Sequence, residues 1–476
     1  MSDALSTLFK ARFGAEPGAP VPVRADGSNR KIYRLTGGGK TAIGVLHDDV
    51  KENRAFIEFS RHFHKEGMPV PAIYGEDPSG TAYLEEDLGD TTLFQFLSKR
   101  RTPQGFPEEV VSAYREVVRW LPRIQIVAGK GLDYRHCYPR ASFDKQSMLW
   151  DMNHFKYYFL TLGNVPFHEE RLEEDFTAFA DYLLAADREY FLCRDFQSRN
   201  AMLKDGKPYF IDYQNGRRGA LQYDIASLLY DAKADVPFEL RDELLELYIH
   251  EAAKHARVDK AEFLRFFPGF VLIRIMQAMG AYGLRGFHEK KPLFLQSIPY
   301  AIRNIERLLL RHNLPLEVPE LMGVFKRLVG SSALRQFGGA KLSLTVRIES
   351  FSYKHGMPRD DKGHGGGYVF DCRCLPNPGR EARFKTQTGL DGEVVSFLSK
   401  EDSVDRWARS AFALVDQAVD DYARRNFTSL LVAFGCTGGQ HRSVYLAERL
   451  AKHLRDQGVS AEVSHRERPR WPSKPA

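Results

Sequence analysis

The sequence predicts an α+β two-lobed domain followed by a smaller α/β domain. Three observations lead to this fold class. Residues 30–86 contain short strand-like runs around a single helical segment, whereas residues 92–190 and 238–313 are dominated by helical spacing. Beyond a stretch rich in proline and glycine, the order strand, glycine turn and helix begins at residue 430. The chain is 476 residues long, which is enough for two to four domains of about 150 residues.

The domain boundary is expected near residues 330–340. The segment before and within it contains Pro315, Pro319, the run Gly330-Ser331-Ser332 and the pair Gly338-Gly339. Such residues punctuate helices and strands and are typical of linkers. The predicted domains are therefore residues 1–330 and residues 341–476.

The first domain is expected to have a small N-lobe and a larger helical C-lobe. The N-lobe spans about 20–90. It contains a hairpin over 30–48, a helix over 53–66 that stops at a glycine, and a strand over 81–86. The C-lobe spans about 91–330 and is mainly helical.

The second domain shows a different pattern. Strands are expected over 342–351, 368–373 and 430–434, and helices over 404–425 and 443–457. The last strand runs directly into a glycine-rich turn and then into the last helix.

Composition indicates the class of protein and its expected cellular location. The hydrophobic content of 43% is ordinary for a globular protein. Five cysteines in a chain this long do not form a disulfide framework, and no signal peptide is evident, so a cytoplasmic location is expected. The longest apolar stretch, 266–287, is interrupted by Arg274 and Arg285 and is expected to be a buried helix, with no membrane partner.

The basic excess lies in the C-terminal third. The net charge is +6, and from Lys341 onward 22 Lys and Arg face 17 Asp and Glu, which accounts for +5. A modest basic excess favours anionic ligands such as phosphates or RNA, without identifying either.

The most informative segment carries three polar residues whose spacing is typical of kinases. Asp195 lies in the run Cys193-Arg194-Asp195, Asn200 follows five residues later, and the apolar run 209–211 leads to Asp212. Phosphoryl transfer uses one carboxylate near the attacking hydroxyl and an Asn and a second Asp on the metal. The motif D-x-x-x-x-N is intact, with Cys193 where His usually stands. A turn with two capping side chains is the alternative.

These and neighbouring segments resemble the aminoglycoside/choline phosphotransferase family, and most closely its bacterial kinases of N-acetylmuramate and N-acetylglucosamine. The resemblance covers residues 20–310 and implies a protein-kinase-like bilobal fold. It is carried by Gly27–Leu35, Tyr83–Asp90, Arg194–Asn200, Tyr209–Gln214, Gly216–Gly219 and Gln222–Leu228.

The resemblance implies roles for individual residues. Asp195 would be the catalytic base, Asn200 and Asp212 would bind Mg²⁺, and Asp224 would brace the catalytic loop. ATP would be bound by residues of the first two segments, namely Ser28, Asn29, Arg30, Glu86 and Leu88. Arg217 and Arg218 would meet a sugar carboxylate or the phosphates; a solvated basic turn is an equally good interpretation.

One expected residue is missing. Kinases place a lysine on the third strand to bind the phosphates. The equivalent strand here, residues 41–46, has none inside it, although Lys40 precedes it and Lys31 lies further upstream. The phosphate-binding cation is therefore not assigned from sequence, and Glu52 and Glu58 are candidate partners for it.

A second candidate site follows the strand 430–434. The run from Gly435 to Ser443 places glycines at a helix start, where backbone amides bind anions, and Arg442 adds a positive charge. The same run spells Cys-x5-Arg-Ser, the spacing of cysteine-dependent phosphatases, and a Cys in this position would have a lowered pKa. Anion binding without catalysis is the preferred interpretation.

Residues 341–470 are similar to the C-terminal domain of the RNase adapter protein RapZ family. The similarity is carried by Ser350–Pro358, Phe370–Pro378, Thr388–Asp391 and Gly435–Tyr445. It implies a sensor of a sugar phosphate, glucosamine-6-phosphate, that also binds RNA and proteins. The phosphate pocket would be lined by Lys354, Thr437, Gly438, His441 and Arg442. The family's Asn-Pro-His is Asn377-Pro378-Gly379 here, so one pocket histidine is lost.

Together these features predict an ATP- and Mg²⁺-dependent kinase of a cell-wall amino sugar. The anomeric hydroxyl is the expected acceptor. The C-terminal module would sense a sugar phosphate, and RNA is a weaker candidate partner. Two alternatives stay open: a non-catalytic regulatory adapter for RNA, and an aminoglycoside-type small-molecule phosphotransferase.

Overall fold

The computed structural model describes residues 2–23, 30–102, 105–312, 314–337, 344–358, 367–424, 427 and 429–472. The chain divides into two compact units that are not contiguous in sequence. The first contains residues 1–159, 168–281 and 312–320, and the second contains residues 160–167, 282–311 and 321–476.

The first unit begins with an antiparallel sheet of five strands in the order β1-β2-β3-β5-β4. The elements of this lobe are α1 Ser2–Phe13, β1 Val21–Val23, β2 Lys31–Gly37, β3 Lys40–Leu46, α2 Val50–Lys65, β4 Ile73–Glu76 and β5 Ala82–Glu86. The expected hairpin is β2–β3. Gly38 and Gly39 form its turn with φ of 56° and 72°, values that glycine adopts at little cost. Helix α1 was not anticipated, and its Phe9 is buried against the sheet.

The rest of the first unit is mainly helical, as expected. Its helices are α3 Leu93–Arg100, α4 Glu108–Pro122, α5 Lys145–His154, α6 Glu169–Leu184, α7 Leu221–Leu229, α8 Phe238–Ala252 and α9 Lys260–Tyr282. Its four short strands form two antiparallel pairs, β6 Tyr190–Leu192 with β9 Arg217–Gly219, and β7 Ala201–Lys204 with β8 Lys207–Phe210. The predicted catalytic residues lie in the segments that connect these strands, between β6 and β7 and between β8 and β9.

Helix α9 explains the longest apolar stretch of the sequence. The helical run 260–288 is long and apolar enough to cross a membrane, but 78% of its most apolar window is buried inside the protein. The prediction of a buried helix is confirmed.

The second unit contains a parallel four-stranded sheet in the order β11-β12-β10-β13. Its elements are α10 Pro292–Leu295, α11 Ile298–Arg311, α12 Pro319–Gly330, α13 Ser332–Arg335, β10 Thr345–Ser352, β11 Gly367–Asp371, α14 Gly392–Ser399, α15 Asp402–Arg424, β12 Ser429–Cys436, α16 Arg442–Asp456 and β13 Ser460–His465. Strand β12 is buried along its whole length, as a central parallel strand should be. The expected order of strand, glycine turn and helix is found at β12–α16.

A buried ion pair stabilises the helices of the second unit. Arg335 on α13 and Glu306 on α11 lie 3.0 Å apart with side chains 0% and 2% exposed. Arg335 also donates to the carbonyl of Val329 and lies over the ring of Phe427. Residues 282–311 thus belong to the same compact unit as the C-terminal sheet. The domain boundary that the sequence predicts near residues 330–340 stays a prediction.

Candidate functional site

The predicted catalytic residues converge after strand β6. Asp195 lies in the loop between β6 and the short 3-10 turn Ser198–Asn200. The Asn200 side-chain amide donates to the backbone carbonyl of Asp195 at 2.8 Å and to Oδ2 of Asp212 at 3.1 Å. The three residues that the motif singled out therefore form one cluster.

Asp224 on α7 holds the start of this loop, residues 193–200, which we term the catalytic loop. Its carboxylate accepts hydrogen bonds from the backbone N–H of Cys193 at 2.7 Å, the backbone N–H of Arg194 at 2.9 Å and the side chain of Gln125 at 3.0 Å. Arg194 adopts a left-handed φ of 75°, which a side-chain-bearing residue rarely does without such support. Asp224 was expected to brace the catalytic loop, and the structure places its carboxylate where it does so.

Asp212 is suited to a metal ion. It has a left-handed φ of 66°, and its Oδ1 accepts from the side chain of Gln214 at 2.9 Å. Burial raises the pKa of Asp212, and the nearby Asp195 carboxylate raises it further. A cation would relieve the repulsion between these two carboxylates.

The donor set fits Mg²⁺. Asp212 offers a carboxylate and Asn200 an amide oxygen, and both are hard oxygen donors. Among the described residues no group of three or more His, Cys, Asp or Glu side chains forms a metal site. Mg²⁺ usually takes only one or two carboxylates from a protein and receives its other ligands from phosphates and water, so two donors are sufficient.

Arg274, which is 79 residues beyond Asp195 in the sequence, also lies at this cluster. Its presence at the site was not predicted. It lies in the middle of α9 and is 5% exposed. Its Nε donates to Oγ of Ser227 at 2.8 Å, and its Nη1 donates to Gln277. These bonds leave Nη2 3.7 Å from Oδ1 of Asp195, at ion-pair distance. In the sequence, the only sign that Arg274 has a role at the site was that a charged residue interrupts the apolar stretch of α9.

Another ion pair fixes the loop from α5. The guanidinium of Arg194 and Oδ1 of Asp151 lie 2.6 Å apart, with side chains 15% and 9% exposed. Helix α5 thus brings Asp151 beside the residue that precedes Asp195.

The two predicted substrate arginines differ in position. Arg217 is buried, and its Nε donates to the carbonyl of Asn215 at 3.1 Å. Burial and, to a smaller extent, the Arg194 cation lower the pKa of Arg217 to about 10. Arg218 is exposed; it lies over the ring of Tyr134 and pairs with Glu189 at 3.2 Å. Of the two, only Arg217 has the burial of a residue built into a site.

The predicted nucleotide residues are described in part. Ser28 and Asn29 lie outside the described residues. Arg30 is paired with Glu52 of α2 at 2.9 Å. At the end of β5, Glu86 accepts from Nζ of Lys204 at 2.7 Å, and Leu88 is buried.

The second candidate site is a pocket of about 240 Å³ at the N-terminus of α16, which we term the anion pocket. It is lined by Asn377, Gly379, Lys385, Cys436, Thr437, Gly438, Gln440, His441 and Arg442. Four of the five residues expected there are present. Lys354 lies in the exposed turn after β10 and does not line this pocket.

Arg442 is the first residue of α16 and is 5% exposed. Its Nη1 donates to the carbonyls of Arg373 at 2.9 Å and Leu375 at 3.0 Å, which fixes the guanidinium. Its Nε is buried with no hydrogen-bond partner. An unsatisfied cationic donor at a helix N-terminus is the arrangement that an anion would complete.

His441 lines the same pocket. Its Nε2 donates to the carbonyl of Phe384 at 2.9 Å. Burial lowers the pKa of His441. A Cβ at Gly379 would lie 3.6 Å from Nδ1 of the ring, so the glycine leaves space beside the ring.

Cys436 ends β12 at the floor of the pocket. Burial alone would raise the pKa of its thiol, but hydrogen bonds from the side chain and backbone of Ser443 outweigh burial and lower it. The Sγ–Oγ distance to Ser443 is 3.2 Å. Among the described residues that line the pocket there is no Asp or Glu, so these residues supply no carboxylic acid for a leaving group.

Two family models match the chain. The model of the phosphotransferase enzyme family matches residues 21–261, and the model of the RapZ C-terminal domain matches residues 344–469. The matches fall on the two regions that carry the candidate sites.

Curated relatives match between a quarter and a third of this chain. A nucleotide-binding protein of Thermotoga neapolitana is 39% identical over 142 residues, covering 30% of this chain and 47% of its own. The RNase adapter protein RapZ of Yersinia pseudotuberculosis is 40% identical over 132 residues, covering 28% and 45%. The chain thus spans about half the length of the curated relatives that it matches.

Solved structures resemble about two thirds of this chain. The choline kinase LicA from Streptococcus pneumoniae has a TM-score of 0.41 at 13% identity and covers 65% of this chain and 97% of its own. The aminoglycoside phosphotransferase APH(4)-Ia, in a thermostable mutant form, has a TM-score of 0.40 at 13% identity and covers 63% and 98%. Similarity at this level concerns the fold at most. The expected fold class, a kinase-like bilobal domain followed by an α/β domain, is confirmed by the family match and the architecture.

Proposed function

On the premise that this chain belongs to the phosphotransferase enzyme family, we propose that it transfers a phosphoryl group from ATP to a cell-wall amino sugar. The acceptor would resemble N-acetylmuramate or N-acetylglucosamine, and its anomeric hydroxyl would be phosphorylated. The observation that supports a working enzyme is the convergence of Asp195, Asn200 and Asp212 in one hydrogen-bonded cluster.

The family resemblance suggests the roles of these residues, and the geometry supports them. Asp195, 24% exposed, orients the acceptor hydroxyl and receives its proton. Asn200 and Asp212 hold Mg²⁺, which neutralises charge on the transferring phosphoryl group. The brace from Asp224 and the ion pair from Asp151 keep the catalytic loop in place before substrate binds, and such positioning is a large part of catalysis in this class of reaction.

An anionic sugar is favoured over a cationic one. Arg194 and Arg274 are paired with the carboxylates of Asp151 and Asp195. Arg217, in contrast, is buried and donates to the backbone carbonyls of Asn215 and Tyr138 rather than to a carboxylate. Such a guanidinium would attract a sugar carboxylate and repel a cationic aminoglycoside, which is the reason for preferring an N-acetylmuramate-like acceptor over the drug-modifying alternative.

We propose further that the anion pocket binds a sugar phosphate as an effector. Support comes from the buried, unsatisfied Nε of Arg442 at the N-terminus of α16. Glucosamine-6-phosphate is the first ligand to test. RNA is a second candidate partner, because the matched relatives carry the name RNase adapter protein.

We place the protein in the cytoplasm, where ATP is available. All five cysteines are free thiols, as a reducing compartment would keep them.

The decisive experiment is a screen of ATP consumption over amino sugars, with phosphorus NMR to locate the product phosphate. The Asp195→Asn variant serves as the matched control. We expect turnover with an acidic amino sugar that is absent in the variant. ATP consumption with aminoglycosides but not with amino sugars would favour the drug-modifying alternative, and no turnover with any acceptor would favour the non-catalytic adapter.

A further inference from the structure

Strand β3 lacks a cation in its interior. Its sequence is Lys-Thr-Ala-Ile-Gly-Val-Leu, and its single lysine, Lys40, is the exposed first residue next to the hairpin turn. Lys31, the other lysine of the hairpin, is also exposed and lies opposite Leu46 in the register. Kinases usually place a cationic side chain on the nucleotide phosphates in addition to the metal.

Arg30, directly before β2, is buried and fixed. Its side chain is 7% exposed, and its Nη2 lies 2.9 Å from Oε1 of Glu52. The guanidinium also lies 5.9 Å from the ring centroid of Phe56, one helical turn beyond Glu52 on α2. The other Glu52 oxygen is held 3.0 Å from Nε2 of His47, so the carboxylate that orients Arg30 is itself oriented.

Arg30 lies close to the segment that carries Asp212. Phe56, whose ring the guanidinium approaches, stacks on the ring of Tyr213 with centroids 5.1 Å apart. Tyr213 directly follows Asp212, the residue proposed to hold the metal. The cation of Arg30 is therefore held beside the proposed metal-binding segment.

We propose that Arg30, oriented by Glu52, binds the nucleotide phosphates in place of a lysine on β3. This inference rests on the proposed kinase function and deepens it. Arginine suits the role because its planar guanidinium can hold one edge against Glu52 while another edge meets phosphate oxygens. The cation would thereby come from the residue preceding β2, on the neighbouring strand of the hairpin.

The test compares ligands with and without phosphates. Binding of Mg-ADP and of adenosine is measured by calorimetry on the full-length wild type and on Arg30→Ala, Arg30→Lys and Lys40→Ala. We expect Arg30→Ala to weaken Mg-ADP binding by about tenfold to a hundredfold, since it removes a charged hydrogen bond, and to leave adenosine binding unchanged. Arg30→Lys should keep part of the affinity, and Lys40→Ala should bind Mg-ADP like the wild type.

Three outcomes would overturn the inference. Mg-ADP could bind Arg30→Ala with wild-type affinity, the loss could appear in Lys40→Ala instead, or Arg30→Ala could lose adenosine and ADP affinity in parallel. A wild type that binds neither ADP nor adenosine would refute the kinase function as well, so failure of the inference alone is recognisable. Retained adenosine binding by Arg30→Ala also shows that the variant is folded.

Discussion

The buried carboxylate of Asp224 accepts a 2.7 Å hydrogen bond from the backbone N–H of Cys193. This bond joins the first turn of α7 to the residue that stands in the usual histidine position of the catalytic motif. Together with the bond from the Arg194 amide, it holds the chain in the unusual conformation that directs Asp195 toward Asn200 and Arg274. The geometry of the candidate active site therefore depends on a residue that touches no reacting group.

We expect Asp224→Ala to lower both stability and activity. The substitution leaves two buried backbone N–H groups without an acceptor, and each costs about 1–3 kcal/mol. The melting temperature and kcat should both fall, while Asp420→Ala, at an exposed position of α15, should change neither. A variant with normal turnover would show that the catalytic loop does not need this brace.

The pKa of Asp224 gives a second, pH-dependent expectation. Burial raises this pKa from about 3.8 to about 6, although hydrogen bonds to the carboxylate oppose the shift. Between these two pH values the folded state holds a proton that the unfolded state has lost. The stability contributed by Asp224 is therefore greatest below pH 4, falls as the pH rises to 6 and is constant above it.

The matched variant for this expectation is Asp224→Asn, which does not titrate. The stability of the wild type relative to the variant should decrease by at most about 3 kcal/mol between pH 4 and pH 6. Melting temperatures of both proteins across this range would reveal it. A difference that does not change with pH would contradict the raised pKa.

Asp195→Asn should lower kcat by at least about a hundredfold, because a positioned acid–base group typically contributes 10²–10⁴. Affinity for ATP should change little, since the proposed role of Asp195 is to bind the acceptor hydroxyl rather than the nucleotide. Steady-state kinetics with the acceptor found in the screen would measure both quantities. Near-normal turnover would exclude Asp195 as the base.

Asp212→Ala should abolish the Mg²⁺ dependence of nucleotide binding, because it removes the anionic ligand between metal and phosphates. Calorimetry with ATP in the presence and absence of Mg²⁺ measures this directly. Asp205→Ala, in the turn between β7 and β8, is the matched control and should retain the dependence. Unchanged Mg-ATP binding by Asp212→Ala would rule out the proposed metal role.

Arg442→Ala should weaken binding of glucosamine-6-phosphate by about 1.5–3 kcal/mol, the usual contribution of a charged hydrogen bond. Cys436→Ser should weaken it much less, because the anion would be held by amides and the guanidinium rather than by the thiol. Calorimetry measures the affinities, and the melting temperature of Arg442→Ala controls for the lost bonds to Arg373 and Leu375. Release of phosphate from this ligand or from p-nitrophenyl phosphate, abolished by Cys436→Ser, would instead establish a phosphatase.

Much of the fold could be predicted from local patterns. The hairpin β2–β3, the helix α2 and the succession β12–α16 appear within a few residues of their expected bounds, because turn glycines and apolar periodicity act over neighbouring residues. Strand β13 was not predicted. Its residues alternate between exposed and half-buried positions at the edge of the sheet, which gives a weak apolar signal.

The sequence by itself determined which residues are candidates for the chemistry of the site. Asp195, Asn200 and Asp212 were identifiable because the reaction fixes their types and their spacing lies within one loop and one strand. Only the tertiary structure decided which cations surround them. Arg274 reaches Asp195 from α9, Arg30 pairs with Glu52 across 22 residues, and burial separates Arg217 from its exposed neighbour Arg218. Such contacts depend on how distant segments pack, and local periodicity carries no information about which distant side chains a folded chain brings together.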